Sequence, residues 1–183
     1  SVPLASRSPA TITSAWGTPG TYVYRFEIRN PNVGTVDWIS DPFAREYGIG
    51  KLSAITLDFQ PHTWDASELS WKTPHLRDLI FYELMLDEFA DGVEGTISRL
   101  DYLADLGINC LEIMPVSNVS MTVDWGFMPI GHFGVDERFG NRANMQRLIQ
   151  AAHQRGIAVI PDAVYGHTAG DFAYSELYRR LHY

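Results

Sequence analysis

A chain of 183 residues is long enough for one domain and part of a second. With 45% hydrophobic and 20% charged residues it folds around a core rather than staying disordered, and no apolar run approaches the roughly 18–20 residues of a membrane helix. A net charge of −8 without a basic patch argues against a nucleic-acid partner, and a single cysteine, Cys110, excludes an intrachain disulfide or a cysteine metal cluster.

The chain opens at Ser1 without Met or a signal-peptide core, which reads as a trimmed N-terminus; the compartment stays open, with the cytoplasm favoured. Residues 1–20, rich in Ser, Thr, Pro and Gly, form a loose lead-in. From Tyr22 to Arg29 bulky apolar and polar residues alternate, the period of a half-buried strand, and Thr35–Ile39 after the Asn30–Gly34 turn is its partner. Asp41–Arg45 breaks the pattern, and Leu52–Leu57 is one more strand. Residues 1–58 are thus a small β-rich segment. Residues 59–78, whose Pro61–Pro74 stretch holds two tryptophans, are a linker packed on the surface of the α/β unit that begins at Leu79.

From Leu79 the grammar becomes strand, helix, strand, helix, strand. Leu79–Leu86 is a strand-length apolar run. In the next helix Ile97, Leu100, Leu103, Ala104 and Leu106 recur at helical spacing, with Thr96 as cap and Gly107 as stop. Cys110–Val116 is a second strand, with Cys110 an inert core thiol. A long loop runs to Gly140, a helix spans Arg142–Gly156, and a third strand starts at Ile157. Alternation of this kind builds parallel βαβ units of an α/β fold. Phe172–Tyr183 is a short amphipathic helix.

At the carboxyl end of the third strand stand Asp162 and, five residues on, His167, where polar groups of such folds point into a site. Asp87, Glu88, Asp91 and Glu94 form a solvated acidic loop, Glu83 and Glu112 anchor neighbouring backbone or Arg groups, and Asp136–Glu137–Arg138 positions its loop. A nucleotide binder would need a Gly-rich turn after the first strand, and Asp87–Gly92 is too acidic to cradle phosphate.

Several of these pieces share the order and spacing of one family. They are Phe81–Tyr82–Glu83 with Phe89, Gly95 to Gly107, Glu112–Val116, Trp125–Gly126–Phe127 through Phe139–Gly140, Ala151–Gly156, and Asp162 to His167. The chain resembles glycoside hydrolase family 13, the alpha-amylase family, in its branching-enzyme and trehalohydrolase-like group. Asp41–Pro42–Phe43–Ala44 is similar to the junction between that family's N-terminal β-sandwich and its barrel. The resemblance implies a partial (β/α)8 TIM barrel over residues 79–183, holding the first three strands and two helices, preceded by the end of a β-sandwich. It also implies retaining chemistry on α-linked glucans.

In the family the nucleophilic Asp lies on strand four and the acid/base Glu on strand five. This chain ends at Tyr183 in the lid loop after strand three, and such a barrel takes about 250 residues. No catalytic residue is therefore expected here, since retention needs two carboxyl groups about 5–5.5 Å apart. By carry-over, His167 contacts the sugar in the cleavage subsite and Asp162 braces the site. Phe127 stacks where the family has Tyr, keeping the apolar face and losing the hydroxyl. Trp125 is a candidate sugar platform. Gly166 replaces an Asn that in the family supports calcium or the loop, so no metal or cofactor is assigned. Two readings are open. The first is a fragment of an alpha-amylase-type hydrolase or transglycosidase that takes α-glucan oligosaccharides and is inactive by itself. The second is a non-catalytic part-barrel that binds glucan, or covers its open strand edge with another copy, another chain or the rest of a barrel.

Overall fold

The computed structural model describes residues 20–30, 32, 35–120 and 124–181. Of the expected lead-in, residues 1–19 lie outside them. Alternation in the first part yields β1 (Gly20–Tyr24), β2 (Phe26–Asn30), β3 (Thr35–Ile39), β4 (Tyr47–Gly48) and β5 (Leu52–Leu57). β1 pairs antiparallel with β5, which carries β4 on its other edge, while β2 and β3 form a separate antiparallel pair. The expected single strand over residues 22–29 is therefore two, broken at Arg25 and shared between two sheets. Asp41 pins the corner. Its Oδ2 accepts from the Tyr24 hydroxyl at 2.6 Å, and its amide donates to Ser53 Oγ at 2.8 Å.

The second part runs β6 (Phe81–Leu84), α1 (Gly92–Asp105), β7 (Cys110–Ile113), α2 (Arg142–His153), β8 (Ala158–Pro161) and α3 (Ala173–Leu181). β6, β7 and β8 form a parallel sheet in that order, with Leu84 opposite Ile113 and Ile113 opposite Pro161. That register brings the carboxyl ends of all three strands to one level. On α1, Val93, Thr96, Leu100 and Leu103 are buried at helical spacing; on α2, Met145, Leu148 and Ala152 are. Both helices pack with Leu84, Leu111 and Ile113 into one core. Burial of such side chains, worth about 1.5–3 kcal/mol each, holds the unit together.

Helix starts depart from expectation at one end. Thr96 does not cap α1 but lies buried within it, its hydroxyl donating to the Gly92 carbonyl at 2.7 Å, and the helix begins a turn earlier behind Asp91 in a left-handed conformation. At α2 Asn141 forms a reciprocal capping box with Asn144.

The segment between the two parts lies along α2. The Trp71 ring stacks on the His153 imidazole at 4.1 Å and 9°, while Glu68 reaches the same ring's Nδ1 at 2.9 Å. The Gln150 side-chain oxygen accepts from His62 Nε2 at 3.0 Å and from the Asp65 amide at 2.6 Å. Trp71→Ala is expected to cost roughly 1–2 kcal/mol, since a stacked ring and the orientation of a charged hydrogen bond go together. Limited proteolysis should then cut residues 59–78 faster than in the parent; equal rates would mean that the segment does not depend on this stack.

Close packing joins the β-rich part to the parallel sheet. Tyr47 on β4 is buried against Gly131 and Gly134 of the loop after β7, and a Cβ at Gly134 would lie 2.6 Å from Tyr47 Cε2. Burial, and then the Asp41 carboxylate, push the Tyr47 hydroxyl up to about 12. Lys51, just before β5, reaches across to Asp136 at 3.1 Å, and α3 lies against β3.

Candidate functional site

The level strand ends deliver three loops to one end of the sheet: residues 85–91 after β6, 114–141 after β7 and 162–172 after β8. The middle loop is the longest, and its shape comes from a buried carboxylate. Asp136 is 0% exposed and receives four donors: Lys51 Nζ at 3.1 Å, the Val119 amide at 3.2 Å, and the Arg138 amide and Nε at 3.0 Å each. Burial pushes its carboxyl up, yet the Arg138 amide, Lys51 and the Arg138 guanidinium outweigh that and hold it below the usual carboxylate range.

Arg138 extends the network in both directions. Its Nη1 donates to Asp87 Oδ2 of the first loop at 2.8 Å and to the Asp124 carbonyl at 3.2 Å. Asp124 in turn accepts the Phe127 amide at 2.7 Å, closing a turn that contains Trp125 and Gly126. The Trp125 indole donates to Glu88 Oε1 at 3.1 Å, so the first and second loops meet twice. The third loop joins through His167, whose Nε2 lies 2.6 Å from the Phe127 carbonyl oxygen. A carbonyl can only accept, so Nε2 carries the proton.

The candidate residues therefore do not stand alike. His167 and Phe127 are in direct contact, Trp125 is two residues from Phe127 in the same turn, and both aromatic rings are exposed. Asp162 stands apart: its amide continues the β7 ladder to the Ile113 carbonyl at 2.8 Å, and its Oδ1 accepts the neighbouring Ala163 amide at 2.6 Å. The acidic loop is engaged rather than merely solvated. Asp87 pairs with Arg138, Glu88 holds Trp125, and Glu94 contacts Arg147. Among the described residues no three His, Cys, Asp or Glu side chains converge on a metal-ion position. Glu83 and Glu112 lie side by side in the strand register rather than at the strand ends.

Chemically, two exposed aromatic faces beside an imidazole suit a neutral ligand with apolar C–H faces and hydroxyl groups. The family model described as the alpha amylase catalytic domain matches residues 72–180, a range that contains Trp125, Phe127, Asp162 and His167 but not Lys51. The chain belongs to the alpha-amylase family.

This alpha-amylase-family chain is 36% identical over 135 residues to a malto-oligosyltrehalose trehalohydrolase of Rhizobium sp. (strain M-11), a match covering 70% of the chain and 22% of that relative. It is 29% identical over 163 residues to the 1,4-alpha-glucan branching enzyme GlgB of Methylococcus capsulatus, covering 81% of the chain and 22% of the enzyme. Among solved structures, a putative alpha amylase from Salmonella typhimurium superposes with a TM-score of 0.68 at 25% identity, over 87% of this chain and 26% of that one. The multi-modular glycogen-degrading pneumococcal virulence factor SpuA shares the fold at a TM-score of 0.70 and 22% identity, over 87% of this chain and 21% of that one. The chain thus spans about a fifth to a quarter of the length of these proteins.

Sequence reasoning misses three pieces of the site. Lys51 is 85 residues from Asp136, and nothing in its neighbourhood marks it. Glu88 reads as one of several solvated acids because only the fold brings Trp125 to it. The Asp136–Arg138 motif implies a positioning role, but not the reach of Arg138 to Asp87.

Proposed function

We propose that this chain forms the first three strands of an eight-stranded β/α barrel acting on α-linked glucans with retention of configuration, and that its strand ends supply part of the glucan-binding floor. On this reading residues 1–58 are the end of a β-sandwich module, 59–78 a linker and 79–183 the start of the barrel. Trp125 and Phe127 offer their faces to sugar rings, His167 contributes hydrogen bonding, and Asp162 stiffens the end of β8. The general acid, base and nucleophile are not assigned to any of them.

The observation that carries this reading is the 2.6 Å contact between His167 Nε2 and the Phe127 carbonyl. It ties the β8 loop to a turn that exposes two aromatic faces, in a chain whose family relatives include an α-glucan branching enzyme. A binding floor needs such side chains held by the scaffold rather than free to rotate.

The test is a calorimetric titration of the full chain with maltoheptaose. Trp125→Ala and His167→Ala should each weaken binding roughly tenfold, equivalent to about 1.4 kcal/mol. Leu69→Ala, at an exposed position in the linker, should leave the affinity alone. Equal affinity in all four proteins would sink the assignment.

A further inference from the structure

Outside that floor, an aromatic ribbon crosses from the β-rich part to the third loop. Phe43, between β3 and β4, stacks on Phe133 of the second loop at 6.0 Å and 18°. Tyr174 meets Phe43 edge-on at 5.7 Å and Phe172 at 5.8 Å. Phe172 lies 4.9 Å from His132, which meets Tyr165 at 5.3 Å. Six rings from four separate segments are thus in unbroken contact. The inner members are buried or half-buried, whereas Phe43, Phe133 and Tyr165 are 66%, 55% and 77% exposed.

We propose that this ribbon is a second α-glucan-binding track, continuous with the floor at Tyr165, two residues from His167. The inference rests on the functional reading above and extends it to longer chains. Three observations select a glucan over another occupant. Exposed aromatic rings on a buried aromatic footing present flat apolar faces at low entropic cost, which suits sugar C–H faces whose hydroxyls stay in water. The ribbon is not purely apolar, because His132 and the hydroxyls of Tyr165 and Tyr174 lie along it as hydrogen-bonding groups. Its Tyr165 end joins the loop that carries His167, so one extended chain could lie on both surfaces, and linked contacts raise affinity without any new chemistry. The net charge of −8 disfavours acidic partners and is indifferent to a neutral polymer.

The experiment compares short and long ligands on the full chain. Wild type, Phe43→Ser/Phe133→Ser and Trp125→Ala are titrated with maltotriose and run through native gels containing glycogen, with circular dichroism showing that each is folded. Two independent single variants, Phe133→Ser and Tyr165→Ser, stand in should the double variant not fold. The expected result is about a tenfold loss of glycogen retardation for the ribbon variants with less than a twofold change for maltotriose, while Trp125→Ala weakens both. Unchanged glycogen retardation in every ribbon variant would overturn the track and leave the floor standing. No binding of either ligand by wild type would overturn both. Sedimentation showing a wild-type dimer that the ribbon variants turn to monomer would also overturn the track, making the patch an interface between copies.

Discussion

Asp136→Ala is expected to lower folding stability by about 3–5 kcal/mol, read as a fall in the denaturant midpoint. The carboxylate is fully buried and answers two cations, Lys51 and Arg138, so its removal takes the nearest counter-charge from two mostly buried cations and leaves them only Glu137 and Asp87. Breaking a buried pair from one side is costly for that reason, more than the pair's own net contribution. Asp136→Asn should fare nearly as badly, because its amide hydrogens would face the donors that the carboxylate meets. Asp136→Leu combined with Lys51→Met should recover part of the loss, since one stranded charge goes with its partner.

The pH dependence has a definite sign. The folded-state value of Asp136 is held below its unfolded one, so its stabilisation is fully present above the ordinary carboxylate value of about 3.9. It is lost as pH falls through the depressed folded value. The stability gap between wild type and Asp136→Ala should therefore narrow in acid. A gap that is constant down to pH 2, or a loss under 1 kcal/mol at neutral pH, would show that the hub is not electrostatic.

Local periodicity brings the parallel unit into view. Leu100 and Leu103 on α1, and Leu148 and Ala152 on α2, recur at the spacing that one buried helical face requires, while Leu111 and Ile113 fill β7 and Ile157 leads into β8. Position at the end of β8 likewise singles out Asp162 and His167 without knowledge of any contact. What stays hidden has a common cause. Nothing around Arg25 marks a change of sheet, because the corner is made by Asp41, sixteen residues away. Thr96 satisfies the capping rule by residue type, but that rule cannot see that Asp91 and Gly92 already start the helix. The Lys51–Asp136–Arg138–Asp87 chain and the aromatic ribbon are built from residues 43 to 174, each unremarkable among its neighbours. Pairing over such distances is decided by the packing of whole elements, which a window on the sequence does not sample.

Gly126→Ala should abolish most maltoheptaose binding, by at least tenfold, while leaving the core folded. Gly126 has φ +89°, a conformation that costs an L-residue about 1–2 kcal/mol, and a Cβ there would fall on the backbone oxygen and ring of Pro115. Pro115, two residues past the end of β7, is fully buried, so the turn rather than the strand has to give way. Among the described residues, the turn's other ties to neighbouring loops are single hydrogen bonds: Asp124 to Arg138, Trp125 to Glu88, and the Phe127 carbonyl to His167. Moving the turn off Pro115 strains all three together, and a displacement of about 1 Å exceeds what a hydrogen bond tolerates. The α1 and α2 core makes no use of Gly126, so the main unfolding transition should shift by no more than about 2 kcal/mol. Gly166→Asn is the matched control. Gly166 stands one residue from His167, yet a Cβ there meets nothing within 4 Å and its φ is not positive, so substitution is free of both penalties. If Gly126→Ala binds as wild type does and Gly166→Asn does not, the floor is organised from the β8 loop and not from the Trp125 turn.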